Sequence, residues 1–209
     1  SRRKVVVCNV WGFGDNAKYV TEELLRHKKK LEIKENCKNS FDIFFITNNP
    51  KSAYAPGGVK VLKTNSISAI FALATGKVWV DNNRKESYIR KRKGQYYIQT
   101  WHGGIALKKI EKDYEDKLGP KYVANAKRDS KMADLYLSNS SFCTNMYRNS
   151  FWYHGEILEC GSPRNDILIQ PNAALTREVR NRLGIDQNVH IALYAPTYRE
   201  ENNTKPYQL

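Results

Sequence analysis

The sequence predicts an α/β fold, a doubly wound layer on a parallel sheet, and three observations predict it. Short apolar runs alternate with segments of helical periodicity along most of the 209 residues. The apolar runs are continuous rather than alternating, as in "KVVVC" and "FDIFFIT", so each strand is covered on both faces. Polar and glycine-rich strings follow the runs, where sheets of this kind gather function. Right-handed crossovers between parallel neighbours then make the layer Rossmann-like.

The strands are expected at Lys4–Val10 (KVVVCNV), Phe41–Thr47 (FDIFFIT), Val59–Leu62 (VKVL), Lys77–Val80 (KVWV), Tyr96–Thr100 (YYIQT), Leu135–Ser138 (LYLS) and Glu156–Glu159 (EILE). Helices are expected between them at Asn16–His27, Ser66–Thr75, Lys121–Lys131 and Ser141–Asn149. After Asp166 the pattern changes. Ala173–Leu183 reads as a helix stopped by Gly184, and "HIALYAPTYRE" as one further strand, His190–Ala195, before a turn at Pro196. A single strand cannot form a sheet. Residues 1–166 are therefore expected as the Rossmann-like domain, and 167–209 as a linker helix with the truncated beginning of a second domain.

Composition is that of a globular chain, 41% hydrophobic and 11% aromatic. No apolar run reaches the roughly 18 residues that would span a bilayer, and the start lacks a secretory pattern, so a cytoplasmic location is expected. Cys8, Cys37, Cys143 and Cys160 form no CxxC and no metal-ligand spacing, so neither a disulfide frame nor a metal site is expected. The formal charge of +14 is partly concentrated in "RHKKK" and "RKESYIRKRK". It points to a polyanionic partner: nucleic acid, anionic headgroups or a phosphate-rich substrate. A solvated helix face would look the same.

"GFGDNA" (Gly12–Ala17) follows a strand and opens a helix, so the amides around Gly14 and Asn16 offer an oxyanion site. A dinucleotide is disfavoured. The second strand ends in Thr47-Asn48-Asn49 without an acid for a ribose, and Asp15 is negative where a pyrophosphate would lie. An N-cap by Asp15 or Asn16 is the plainer alternative. In "YIQTWHGG", His102 is the candidate general base, since imidazole is the side chain that accepts a proton near neutral pH. Gly103 and Gly104 remove bulk beside it. A histidine satisfied at a strand end fits the same string. His27 is expected exposed, His154 packed in a turn, and His190 at a strand start. Lys108 and Lys109 are candidate phosphate-facing cations, with a solvated helix face as the alternative. Asn139, in "SNSS" after the sixth strand, joins the candidate rim. "GSPRND" is expected to act first as a hinge at the domain junction, with Arg164 as a candidate phosphate ligand.

Together, "GFGDNAKYV", "YIQTWHGG", "LKK", "YLSNSSF", "CGSPRND" and "YAPTYR", in this order from Gly12 to Arg199, resemble the CDP-glycerol glycerophosphotransferase family of teichoic acid primases and polymerases. The resemblance implies a GT-B architecture, with residues 1–166 as the acceptor-side half and the donor-binding half beyond the chain end. It implies His102 as the base that deprotonates the acceptor hydroxyl, which attacks the distal phosphorus of CDP-glycerol and expels CMP. Asp134 corresponds to an acidic family position that orients the base; capping would explain it equally. The family motif continues Thr-Pro-Leu-Lys, whereas this chain has Gly104-Ile105-Ala106-Leu107-Lys108, a different loop. CDP-glycerol is implied as the donor substrate, with no cofactor. The implied partners are a lipid-linked polyol-phosphate acceptor and the anionic inner membrane face, where the enzyme is peripheral; a homo-oligomer is compatible, and no nucleic acid is expected. The fragment alone is expected to be inactive. The competing readings are a basic nucleic-acid-binding module and another GT-B nucleotide-sugar transferase.

Overall fold

Seven strands form one all-parallel sheet in the order β3-β2-β1-β4-β5-β6-β7. In chain order they are β1 (Arg3–Cys8), β2 (Phe41–Thr47), β3 (Val59–Lys63), β4 (Val78–Asp81), β5 (Tyr96–Gln99), β6 (Leu135–Ser138) and β7 (Glu156–Glu159). The structure, a computed structural model, describes residues 3–34, 41–104, 108–170 and 172–194. The strand order reverses between β1 and β4, and sheets of this kind open a crevice at the carboxyl ends of such neighbours. This is the Rossmann-like parallel sheet expected from the apolar runs.

The helices are α1 (Asp15–Lys34), α2 (Ile67–Thr75), α3 (Pro120–Met132), α4 (Ser141–Ser150), α5 (Asp166–Ile169) and α6 (Ala173–Leu183), with a 3₁₀ segment at Glu111–Lys117. Helix α1 runs seven residues past the expected His27, because "KKKLEIK" holds no glycine or proline and its lysines and glutamate favour helix. Ser66 caps α2 by accepting from the Ala69 amide, and Ser140 caps α4 by accepting from Cys143.

Two cores flank the sheet. On one side Val7, Phe45 and Val80 meet Ala17 of α1. On the other, Val6, Trp79, Tyr97 and Tyr136 pack with α2, α4 and Phe151. Gly76 permits the close approach of β1 to the end of α2, since a Cβ there would lie 2.7 Å from Val6 Cγ2 and 2.9 Å from the Ala72 carbonyl oxygen.

The chain divides into two compact units, Ser1–Asp166 and Ile167–Leu209. Within the second, α6 is capped by Asn172 and ends at Gly184 in the left-handed conformation (φ 65°). The strand expected at His190–Ala195 is not formed over His190–Tyr194, which has no regular structure; Ala195 and the rest of "YAPTYR" lie outside the described residues. A strand needs a neighbour to take its amides and carbonyls, and the described part of this unit offers none.

Candidate active site

Beyond β5 the ladder continues for one bond, from the Thr100 amide to the Asp81 carbonyl (2.8 Å), and then the chain turns. Trp101 makes the turn with φ at 52°, a left-handed conformation that costs a bulky residue about 1–3 kcal/mol. Its surroundings hold it there. The Trp101 amide donates to Gln99 Oε1 (2.8 Å), the indole stands edge-on to Phe151 (4.9 Å), and the Arg84 guanidinium lies 5.2 Å from the ring centre.

The turn delivers His102, half-buried, onto the Trp101 ring at 4.4 Å and 27°, with Trp11 edge-on at 5.2 Å. Its Nδ1 lies 2.7 Å from the Asn82 carbonyl oxygen. A carbonyl only accepts, so in the neutral ring Nδ1 carries the hydrogen and the Nε2 lone pair is left for a substrate.

Three other elements converge on the turn that carries this ring. Asp15, at the start of α1 and itself left-handed (φ 54°), accepts from Asn82 Nδ2 (2.7 Å) and pairs with Arg164 (2.6 Å). The same Arg164 nitrogen donates to the His102 carbonyl (2.9 Å). Asn16 donates to the Trp101 carbonyl (3.3 Å) and accepts from the Arg164 amide (3.3 Å). The ends of β4 and β5, the start of α1 and the turn after β7 are thereby joined by side chains. Asp15 and Asn16 tie α1 to this rim instead of capping the helix.

Of the residues singled out in the sequence, His102, Asn16 and Arg164 meet here. Gly14 lies at the entry to α1, its carbonyl accepting from Asn9 Nδ2 (3.1 Å) and the Lys18 amide (3.1 Å). Gly103 leaves open room, since a Cβ there would make only ordinary contact with Trp101 at 3.9 Å. Gly104 does not: a Cβ there would fall on the Asn139 side-chain amide, so its missing side chain makes room for Asn139 rather than for a substrate. Asn139 is thus packed against the loop, with its Oδ1 accepting from Ser140 Oγ (3.0 Å). Lys108 and Lys109 are exposed, outside any helix, and have no ion pair among the described residues; Ile105–Leu107, where the loop departs from the family motif, lies outside them. His27, His154 and His190 are exposed, so His154 is not packed in its turn.

Asp134 does not orient His102. Its Oδ2 accepts from the Tyr97 amide (2.7 Å) and its Oδ1 pairs with Lys91 (2.5 Å), which places it where β5 and β6 begin, at the opposite edge of the sheet from His102. The orienting acceptor is the Asn82 carbonyl, and a backbone group has no residue-type signal in a sequence. Asn82 lies in "DNNR" and is fully buried; Asp15 was legible as a cap and as a charge against a pyrophosphate, not as the partner of Arg164.

Beneath the rim, Asp81 pairs with Lys85 (2.7 Å), whose ammonium also donates to Cys8 Sγ (3.1 Å). Burial pushes the Cys8 thiol up to about 11, so it is protonated at neutral pH and serves as packing. Among the described residues no group of three metal-ligating side chains assembles.

The site lies within a region matched by one family along residues 2–209, described as CDP-glycerol:poly(glycerophosphate) glycerophosphotransferase. The teichoic acid poly(glycerol phosphate) polymerase of Staphylococcus epidermidis is 29% identical, over 95% of this chain and 28% of that protein. The polymerase of the same name from Bacillus spizizenii is 31% identical, over 82% of this chain and 46% of that protein. Among solved structures, a histidine-to-asparagine variant of the wall teichoic acid polymerase TagF superposes with a TM-score of 0.83 at 27% identity, covering 98% of this chain and 49% of that one. The chain spans less than half the length of these curated relatives and about half that of TagF as solved. Matched by the family model along residues 2–209, the chain belongs to the CDP-glycerol:poly(glycerophosphate) glycerophosphotransferase family.

Proposed function

We propose that this chain is the acceptor-side half of an enzyme that moves glycerol phosphate from CDP-glycerol onto a polyol-phosphate polymer, with His102 as general base. The observation that carries this reading is the imidazole whose Nδ1 is engaged by a backbone carbonyl, at the carboxyl edge of a parallel sheet. The terminal hydroxyl of the acceptor gives its proton to Nε2. Its oxygen forms a bond to the distal phosphorus of CDP-glycerol, the bond from that phosphorus to the bridging oxygen breaks, and CMP departs with the electron pair. No cofactor takes part in these steps. Positioning and charge carry most of such a transfer. The test is to incubate the full-length protein with CDP-glycerol and a glycerol-phosphate oligomer. CMP release that depends on the oligomer is expected; release without elongation of the oligomer, or none, overturns the reading.

The positive surface supports a peripheral place on an anionic membrane. No helix among the described residues is long and apolar enough to cross a bilayer. Arg90, Lys121 and Arg128 line, with Glu86, an open groove between the β4–β5 loop and α3, and none of the three makes a direct ion pair among the described residues. Arg128 is held by the carbonyls of Lys85 (3.2 Å), Glu86 (2.8 Å) and Ile89 (2.5 Å), and burial together with the charge of Arg90 pushes its guanidinium below the ordinary range. A basic residue near an anionic surface contributes about 1 kcal/mol. The double variant Arg90→Glu/Lys121→Glu is expected to lower partitioning to phosphatidylglycerol vesicles by roughly thirtyfold or more. Unchanged vesicle binding overturns the role of the groove.

A further inference from the structure

The loop between β1 and α1 holds an aromatic side chain that the chemistry above does not use. Trp11 is 66% exposed, whereas Trp79 is buried and Trp101 and Trp152 are half-buried. An indole left in water beside a candidate base is costly, because it forgoes one of the largest apolar burials a side chain can make. It is also not there through a loose loop. Asn9, only 3% exposed, grips the loop at both ends, its Oδ1 accepting from the Trp11 amide (3.2 Å) and its Nδ2 donating to the Gly14 carbonyl (3.1 Å). The Val10 carbonyl between them accepts from the Asn48 amide (3.2 Å) and from the hydroxyl of fully buried Thr47 (3.4 Å). Two buried polar side chains therefore fix the backbone that presents the ring. The loop leaves room beside its own backbone, since a Cβ added at Gly12 or Gly14 would meet nothing within 4 Å.

The geometry points to Trp11 as a stacking platform for the carbon backbone of the acceptor, one step from the hydroxyl that reacts at His102. This assignment rests on the reading of the site given under Proposed function and adds the residue that selects the acceptor. The matching chemistry is a polyol. Its C–H edges carry a small positive charge that suits the negative face of an indole, and its hydroxyls stay in water. The rim described above presents polar groups, and among the described residues no other exposed large apolar side chain lies in ring contact with the imidazole. Stacking on the chain behind the reacting end orders a flexible ligand without engaging its phosphates, so the contribution appears in acceptor binding more than in the chemical step.

The test uses the full-length protein with an oligo(glycerol phosphate) ending in a free glycerol. Trp11→Ala is expected to raise the acceptor KM about threefold to tenfold, the usual worth of one aromatic contact, and to leave kcat within about twofold. Trp11→Phe keeps a π face and is expected to recover most of that loss. A second measurement does not depend on turnover. In His102→Ala, titration with the same oligomer is expected to give a saturable change in tryptophan fluorescence, absent from His102→Ala/Trp11→Phe. An unchanged KM in Trp11→Ala, an equal loss in Trp11→Ala and Trp11→Phe, or the same fluorescence change in both His102→Ala backgrounds overturns the platform. If His102→Ala retains full activity, the base assignment falls, while the KM comparison still reads Trp11.

Discussion

His102→Ala is expected to lower the rate of glycerol phosphate transfer by about 10²- to 10⁴-fold, the range a positioned general base supplies. The chain should remain folded. The ring sits at the rim and not in either core, and Trp101 keeps Arg84 and Phe151 after the imidazole is gone. The loss should fall on kcat, because the proton moves only as the new bond forms. His102→Gln sharpens the result, since an amide can hydrogen-bond the acceptor hydroxyl but cannot take its proton. Initial rates at saturating acceptor, measured on the full-length protein, decide the matter. A His102→Gln variant within tenfold of the parent removes the imidazole from the mechanism.

The second large effect is on stability. Arg84 is nearly buried between α3 and the rim, paired with Glu111 (2.8 Å) and Asp129 (3.7 Å) and donating to the Ala126 carbonyl and Ser130 Oγ (3.2 Å each). Arg84→Met fills similar space but strands two buried carboxylates. Breaking a buried pair in this way costs about 3–5 kcal/mol, read as a lower urea midpoint at unchanged slope. The penalty should depend on pH with a defined sign. Burial, opposed by the Lys85 amide and the Arg84 charge, pushes the Asp129 carboxyl from 3.8 up to about 6. A folded-state value above the unfolded one means a contribution fully present below about 4 and lost as pH rises through about 6. Without Arg84 the ionised carboxylate is dearer still, so the variant should differ less from its parent at pH 5 than at pH 8. Arg84→Met/Asp129→Asn should recover part of the loss. A pH-independent difference shows that the Asp129 charge is not what Arg84 compensates.

The two sides of the molecule were unequally legible in its sequence. Strands such as "FDIFFIT" announce themselves because a parallel sheet buried on both faces admits little but apolar residues, and β2, β6 and β7 lie at their expected bounds. Helix α1 was read short because a basic run carries no stop signal of its own. His190–Tyr194 was read as a strand from composition, which cannot reveal whether a neighbour exists to pair with. At the site, His102, Asn16 and Arg164 stood out by residue type and proved to be joined. Asp134, named only through the family resemblance, belongs to the other edge, because adjacency to a strand does not say which end faces the rim. What positions the imidazole is the Asn82 backbone, and what steadies its neighbour is Arg84, which the sequence shows only as one more cation in a basic run.

The left-handed bend at Trp101 sets a limit on how this loop can be improved. Glycine is the residue that adopts such a backbone at no steric cost, so Trp101→Gly looks like a relaxation. It would also take away the surface against which the imidazole lies, and the freed ring would sample many orientations in place of one. Strain and aim are supplied here by one side chain, and neither can be tuned without the other.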